Sequence, residues 1–253
     1  MSGPRLNMPC IDLSTDRLRF YRQIGAEEVT LQLVNSADWT SRVHDRPVRP
    51  MVPPAQTSAI GGPGKPWDES VLRAMIARCK SFGLDATTMN LGLSGAILNG
   101  QPQREQDIAV VIANIRTAAR AGLSVLTWNF TALRASEGYG AKKFAGRGRS
   151  DLRDFDSRRL STEPLPDCPP CTHIDMWERL QWTLDHLVPV AEECGVRLAL
   201  HPTDPPVSIY RGVSRESSFI LDRLVEQYLL CSRITSANDC LCCSHLSCLY
   251  NYF

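Results

Sequence analysis

Apolar positions recur along this chain in two alternating periods. Val71, Leu72, Met75, Ile76, Cys79 and Phe82 form one stripe, and Ile108, Val111, Ile112, Ile115, Ala118 and Ala119 a second. Trp177, Leu180, Leu184, Leu187, Val188 and Ala191 form a third. A spacing near 3.6 residues places each set on one buried face of a helix. Each stripe ends at a glycine (Gly83, Gly122, Gly195), the residue that tolerates the left-handed conformation closing a helix. Short strand-like runs then follow at 85–91, 123–130 and 196–201. The stretch "YRQIGAEEVTLQLV" repeats the unit more loosely, with Gly25 and a run at 29–34. Asp68 marks the entry of the first helix, Pro102 fits a first helical turn, and Thr172 with Asp175 forms a capping box. Pro189 is expected to kink the third helix.

Helix, glycine and strand in repeated order specify parallel βαβ units. A doubly wound sheet and a (β/α)8 barrel both satisfy that pattern. No glycine-rich phosphate loop follows a strand, which argues against a dinucleotide fold. The long segments 35–66, 131–171 and 202–213 come after strands, where a barrel carries its active-site loops. The fold expected is therefore α/β of the (β/α)8 TIM-barrel type. It is incomplete, with four to five βα units and a fifth strand near 238–243. Residues 1–230 form the partial barrel domain, with insertions at 35–66 and 131–171, and 231–253 form a divergent cysteine-rich tail.

Composition narrows the function classes. The net charge of +1 gives no reason to expect nucleic acid or an anionic membrane as partner. No apolar run approaches the roughly 18 residues of a membrane span, and the amino terminus lacks the apolar core of a signal peptide. A cytoplasmic location is expected. Five of the ten cysteines (Cys231, Cys240, Cys242, Cys243, Cys248) lie at or beyond residue 231. Without a secretion signal they are not expected to form a disulfide framework. Cys168 and Cys171 have zinc-knuckle spacing but no second pair nearby. The tail cysteines with His245 reach a zinc-binding count, yet their spacing matches no usual finger.

The most informative stretch is "GVRLALHPTDPP", residues 195–206. It brings His201 to the end of a strand and then restricts several φ angles with Pro202, Pro205 and Pro206. Position alone leaves His201 open as a turn residue, a metal ligand or an acid/base group. Asp204 either orients the imidazole or caps the turn. Asn129 occupies the matching place after the preceding strand. Arg134 and the basic run Lys142, Lys143, Arg147, Arg149 and Arg153 follow it. A guanidinium suits a carboxylate ligand, but most of this run reads as a solvated face.

Taken together, "YRQIGAEEVTLQL", "GLSGAILNGQPQREQDIAVVIANIRTAARAGLSVLTWNFTALRASEGYG", "GRGRSDLRDFDSRRL" and "MWERLQWTLDHLVPVAEECGVRLALHPTDPPVSIYRGV" resemble the mannonate dehydratases, xylose-isomerase-like TIM barrels. The similarity runs from about residue 15 to 230, and "ALHPTDPP" is its most specific motif. The family usually has His-Pro-Asp-Asp-Pro-Pro there, so Thr203 departs from it. The resemblance implies dehydration of D-mannonate to 2-keto-3-deoxy-D-gluconate in hexuronate catabolism, with Mn2+ or Fe2+ as cofactor. It implies His201 as a metal ligand, and Cys243 in "TSANDCLCC" as a second, although Asp239 replaces the family glycine there. It implies Arg211 in "YRGV" on the substrate side, a loop salt bridge being the alternative, where position already points to Asn129 and Arg134, with Asp204 behind the histidine. The family's further ligands and its acid/base residues come from later strands, so a truncated chain is expected, and its own activity stays open. A non-catalytic remnant pairing with another chain and a different sugar isomerase or epimerase of the same barrel are the alternatives. Self-association into a homo-oligomer is compatible with all of these.

Overall fold

The computed structural model describes residues 5–10, 12–32, 65–130, 138–164, 170–200 and 207–214. In chain order its elements are β1 (Asn7–Cys10), α1 (Thr15–Gln23), β2 (Glu28–Leu31), α2 (Glu69–Ser81), β3 (Asp85–Asn90), α3 (Gly95–Asn99), α4 (Arg104–Ala121) and β4 (Val125–Trp128). They continue with β5 (Tyr139–Lys142), β6 (Leu152–Phe155), α5 (His173–Cys194), β7 (Arg197–Leu200), β8 (Ile209–Tyr210) and β9 (Val213–Ser214). The chain divides into two units, residues 1–129 with 182–201 and residues 130–181 with 202–253.

The first unit is a five-stranded sheet in the order β1-β2-β3-β4-β7, parallel throughout. Within it, spatial order follows chain order without reversal. Right-handed crossovers then place every connecting helix on the same face. A doubly wound sheet reverses its order and carries helices on both faces. The arrangement is therefore that of a TIM barrel, with five strands among the described residues. The fifth strand is β1, at the amino end. The strand expected near 238–243 lies outside the described residues.

The helices form for the reasons legible in their stripes. Leu72 and Cys79 of α2, Ile108, Val111, Ile115 and Ala118 of α4, and Leu187 and Ala191 of α5 are buried. Each fully buried leucine or isoleucine contributes about 1.5–3 kcal/mol relative to exposure. The Asp68 carboxylate accepts the N–H groups of Ser70 and Val71 at 2.8 and 3.2 Å, capping α2. Thr172 and Asp175 cap each other reciprocally: the Thr172 N–H donates to Asp175 at 2.9 Å, and the Asp175 N–H to Thr172 Oγ1 at 3.2 Å. Gly25, Gly83, Gly122 and Gly195 all have positive φ, 87°, 74°, 96° and 66°. One detail differs from expectation. Pro102 precedes α4 rather than sitting inside its first turn, Gln103 being the N-cap. Helix α5 carries Pro189 in its interior.

The second unit contains two small antiparallel sheets, β5–β6 and β8–β9. An isolated parallel bridge joins Cys171 to Val213. Tyr139 packs against Phe155 with ring centroids 5.1 Å apart, and the Arg153 guanidinium lies 3.8 Å from the centre of the Tyr139 ring. Among the described residues no helix is long and apolar enough to cross a membrane.

Candidate functional site

The two ends of the parallel sheet differ in chemistry. At the amino ends, Arg5 reaches Asp85 at 2.6 Å, Glu28 at 2.7 Å and Glu27 at 3.4 Å. The hydrogen bond to Asp85 comes first among the causes that raise the Arg5 pKa. This end is tied together by charge. The carboxyl ends, where a barrel holds its chemistry, present amides and hydroxyls instead.

Strand alternation explains how they get there. Val29, Leu31, Met89, Leu126 and Trp128 are buried on the helix-covered face. Thr30, Asn90, Thr127 and Ala199 lie on the other, with Gln32 and Asn129 one step beyond β2 and β4 in the same alternation. A register shift makes this possible: Val29 pairs with Ala86 but Thr30 pairs with Thr88, leaving Thr87 as an extra residue. That bulge resets the parity of β3, so Met89 joins the core while Asn90 faces the opposite way. The Thr127 hydroxyl donates to Asn90 Oδ1 across the β3–β4 pair at 2.7 Å.

Of the residues singled out from sequence, Asn129 follows β4 directly and is half-buried. Arg211 lies in the second unit, in the β8–β9 turn, with φ of 49°. Its Nε donates to the Glu163 carbonyl at 2.7 Å, which fixes the orientation of the guanidinium. Arg134, His201, Asp204 and Cys243 lie outside the described residues. Among the described residues no three His, Cys, Asp or Glu side chains gather to hold a metal ion. Cys168 is also outside the described residues, and its partner Cys171 is buried, its thiol directed at the Thr172 carbonyl at 3.6 Å. The basic residues Lys142, Lys143, Arg147, Arg149 and Arg153 are exposed, as a solvated face requires. Sequence reasoning missed Gln32, Asn90 and Thr127. Their signal was polar residues alternating with apolar ones inside strands whose other face is covered.

The family described as D-mannonate dehydratase (UxuA) matches residues 169–244, a span that includes β7 and the His201 loop. The mannonate dehydratase of Lachnoclostridium phytofermentans is 26% identical over 217 residues, covering 72% of this chain and 59% of that protein. The enzyme of the same name from Geobacillus thermodenitrificans is 30% identical over 141 residues, covering 44% and 38%. The crystal structure of mannonate dehydratase from Streptococcus suis serotype 2 superposes with a TM-score of 0.62 at 20% identity, covering 85% of this chain and 57% of that one. That likeness shows the fold. The chain spans about half the length of the curated relatives it matches.

Proposed function

We propose that the chain, which matches the D-mannonate dehydratase (UxuA) family over residues 169–244 and resembles curated mannonate dehydratases over up to 72% of its length, acts on D-mannonate as a carbon–oxygen lyase, forming 2-keto-3-deoxy-D-gluconate. The observation that carries this reading is the family match across residues 169–244, the segment containing His201. His201 and Cys243 would hold Mn2+ or Fe2+, a donor set suited to a borderline divalent ion. Bound there, the metal supplies Lewis-acid stabilisation of the charge that develops when the C2 proton leaves. Asn129, half-buried after β4, hydrogen-bonds a sugar hydroxyl. Arg134 and Arg211 offer guanidinium forks to the substrate carboxylate. Asp204 orients the His201 ring.

The test is an assay of the purified chain with D-mannonate and Mn2+, following the 2-keto acid. The expected result is turnover that His201→Ala abolishes without lowering the unfolding midpoint. Formation of an epimer or an isomerised sugar instead would assign the chain to another activity of the same barrel class. Turnover undiminished in His201→Ala would remove the metal-ligand role.

A further inference from the structure

We propose that Gln32, Asn90 and Asn129 form a neutral carboxamide array that binds the hydroxyl groups of a polyhydroxylated ligand, with Thr127 as the residue that positions Asn90. The proposal rests on the sugar-acid reading above and extends it from Asn129 to Gln32, Asn90 and Thr127, which that reading does not use.

The first observation is what fills the inner face of the sheet. Barrel interiors are ordinarily closed by layers of branched apolar side chains. Here the described inward positions in the row of Asn90 and just beyond it are Gln32, Asn90, Thr127, Asn129 and Ala199, polar or small, and all but Ala199 are half-buried. Such a layer leaves room for a wet or liganded space. It is poorly suited to an apolar plug.

The second observation is geometric. Leu31 pairs with Met89 and Thr127 with Asn90, so the residues that follow in register bring Gln32 beside Asn90 on neighbouring strands. Adjacent parallel strands lie about 4.8 Å apart, and alternate residues on one strand about 6.6 Å apart. Three carboxamides at these intervals match the spread of a short polyol chain. Thr127 donates to Asn90 Oδ1 at 2.7 Å, which selects one orientation of the amide and turns its NH2 away from that bond. Among the described residues no hydrogen bond engages Asn90 Nδ2.

The third observation is charge. The ionised groups of the first unit's sheet gather at the strands' amino ends, around Arg5, Glu28 and Asp85. The positions Gln32, Asn90, Thr127, Asn129 and Ala199 carry none. Neutral amides discriminate hydroxyls by number and placement, and do not by themselves attract phosphate. A site built to hydrogen-bond hydroxyls rejects analogues that lack them, because its own donors are then left unpaired.

The experiment is binding of D-mannonate, D-gluconate, mannitol and a deoxy analogue to the full-length chain. It is read by calorimetry and by the side-chain amide NMR signals of Gln32, Asn90 and Asn129. Wild type is expected to bind the polyols and to shift those three signals. Asn90→Ala should weaken binding about tenfold, and Thr127→Val severalfold. Thr127→Ser should restore wild-type affinity, which a purely structural loss would not. The double variant should be no weaker than Asn90→Ala alone, since Thr127 acts through Asn90. Circular dichroism of each variant checks folding, and the wild-type amide shifts stand even if one variant fails to fold. Unchanged affinity in Asn90→Ala, or no amide shift on saturation, overturns the proposal, and 2-keto acid formation would then leave the lyase reading intact. Polyol binding with the expected shifts but without product supports the array and removes the lyase reading. No binding of any polyol overturns the array.

Discussion

Asn114, on the buried face of α4, accepts the backbone N–H of Trp67 at 2.8 Å. Its Nδ2 donates to the Lys65 carbonyl at 3.0 Å. One carboxamide, only 3% exposed, therefore anchors the chain as it enters α2, where Trp67 is itself buried. Asn114→Ala leaves a buried N–H and a carbonyl without partners, at a cost of about 1–3 kcal/mol. Urea unfolding should show a lower midpoint with an unchanged slope. Fluorescence of Trp67 should become accessible to quencher before the global transition. A midpoint unchanged within error would mean that the segment is held by its apolar contacts alone.

Gly122 and Gly138 both have positive φ, 96° and 82°, but in different surroundings. A Cβ on Gly122 would meet nothing within 4 Å, so Gly122→Ala costs only backbone strain, about 1–2 kcal/mol. A Cβ on Gly138 would lie 2.6 Å from the Phe155 ring and 3.0 Å from Leu160. Gly138→Ala should therefore also displace the Tyr139–Phe155 pair and open the β5–β6 hairpin. Amide hydrogen exchange should show loss of protection confined to 139–155, whereas Gly122→Ala lowers stability without a local signature. Equal exchange patterns in the two variants would contradict this.

The helix–glycine–strand units were legible because independent signals coincide in them. The stripe in 108–119, the stop at Gly122 and the run to Trp128 each specify the same unit. Strand β1 was not legible. Its four residues, Asn-Met-Pro-Cys, have no alternation, and Pro9 removes a ladder donor; among the described residues it pairs with β2 alone. The β5–β6 hairpin was hidden in a basic run that reads as a solvated loop, since its pairing depends on Tyr139 and Phe155 meeting across the sheet. For the site, pattern reading favoured ionisable groups at strand ends. It reached Asn129 by analogy of position but passed over Asn90 and Thr127. Their significance lies in the register shift after Val29, which single-sequence periodicity does not encode.

Asp156 is held at a pKa of about 2, chiefly by the Arg158 side chain and then by the Arg158 N–H, which donates at 3.0 Å. A carboxylate with a lowered folded pKa adds stability above its unfolded value, near 3.9, and loses it as pH falls toward 2. The short turn at 157–159 should therefore stay intact at pH 5 and loosen between about pH 4 and 2. Exchange of the Arg158 amide should rise across that window in wild type. In Asp156→Asn it should be pH-independent there once the intrinsic rate is removed. Loosening that begins above pH 5 would point to another group.

Cys10 and Cys79 are 2% and 0% exposed, and the Cys10 thiol lies beside that of Cys79 where β1 meets α2. The hydrogen bond with Cys79, and then burial, push the Cys10 thiol well above its ordinary range. A raised folded pKa favours the protonated native state. The resulting stability is present below the unfolded thiol value, about 8.5, and declines as pH rises past it. The difference in urea midpoint between wild type and Cys10→Ala should therefore be constant from pH 6 to 8 and shrink above pH 9. Iodoacetamide at pH 8 should modify half-buried Cys194 quickly, but Cys10 and Cys79 only at the rate of global opening. Mass-spectrometric mapping that found Cys10 alkylated as fast as Cys194 would place that thiol in solvent and remove both expectations.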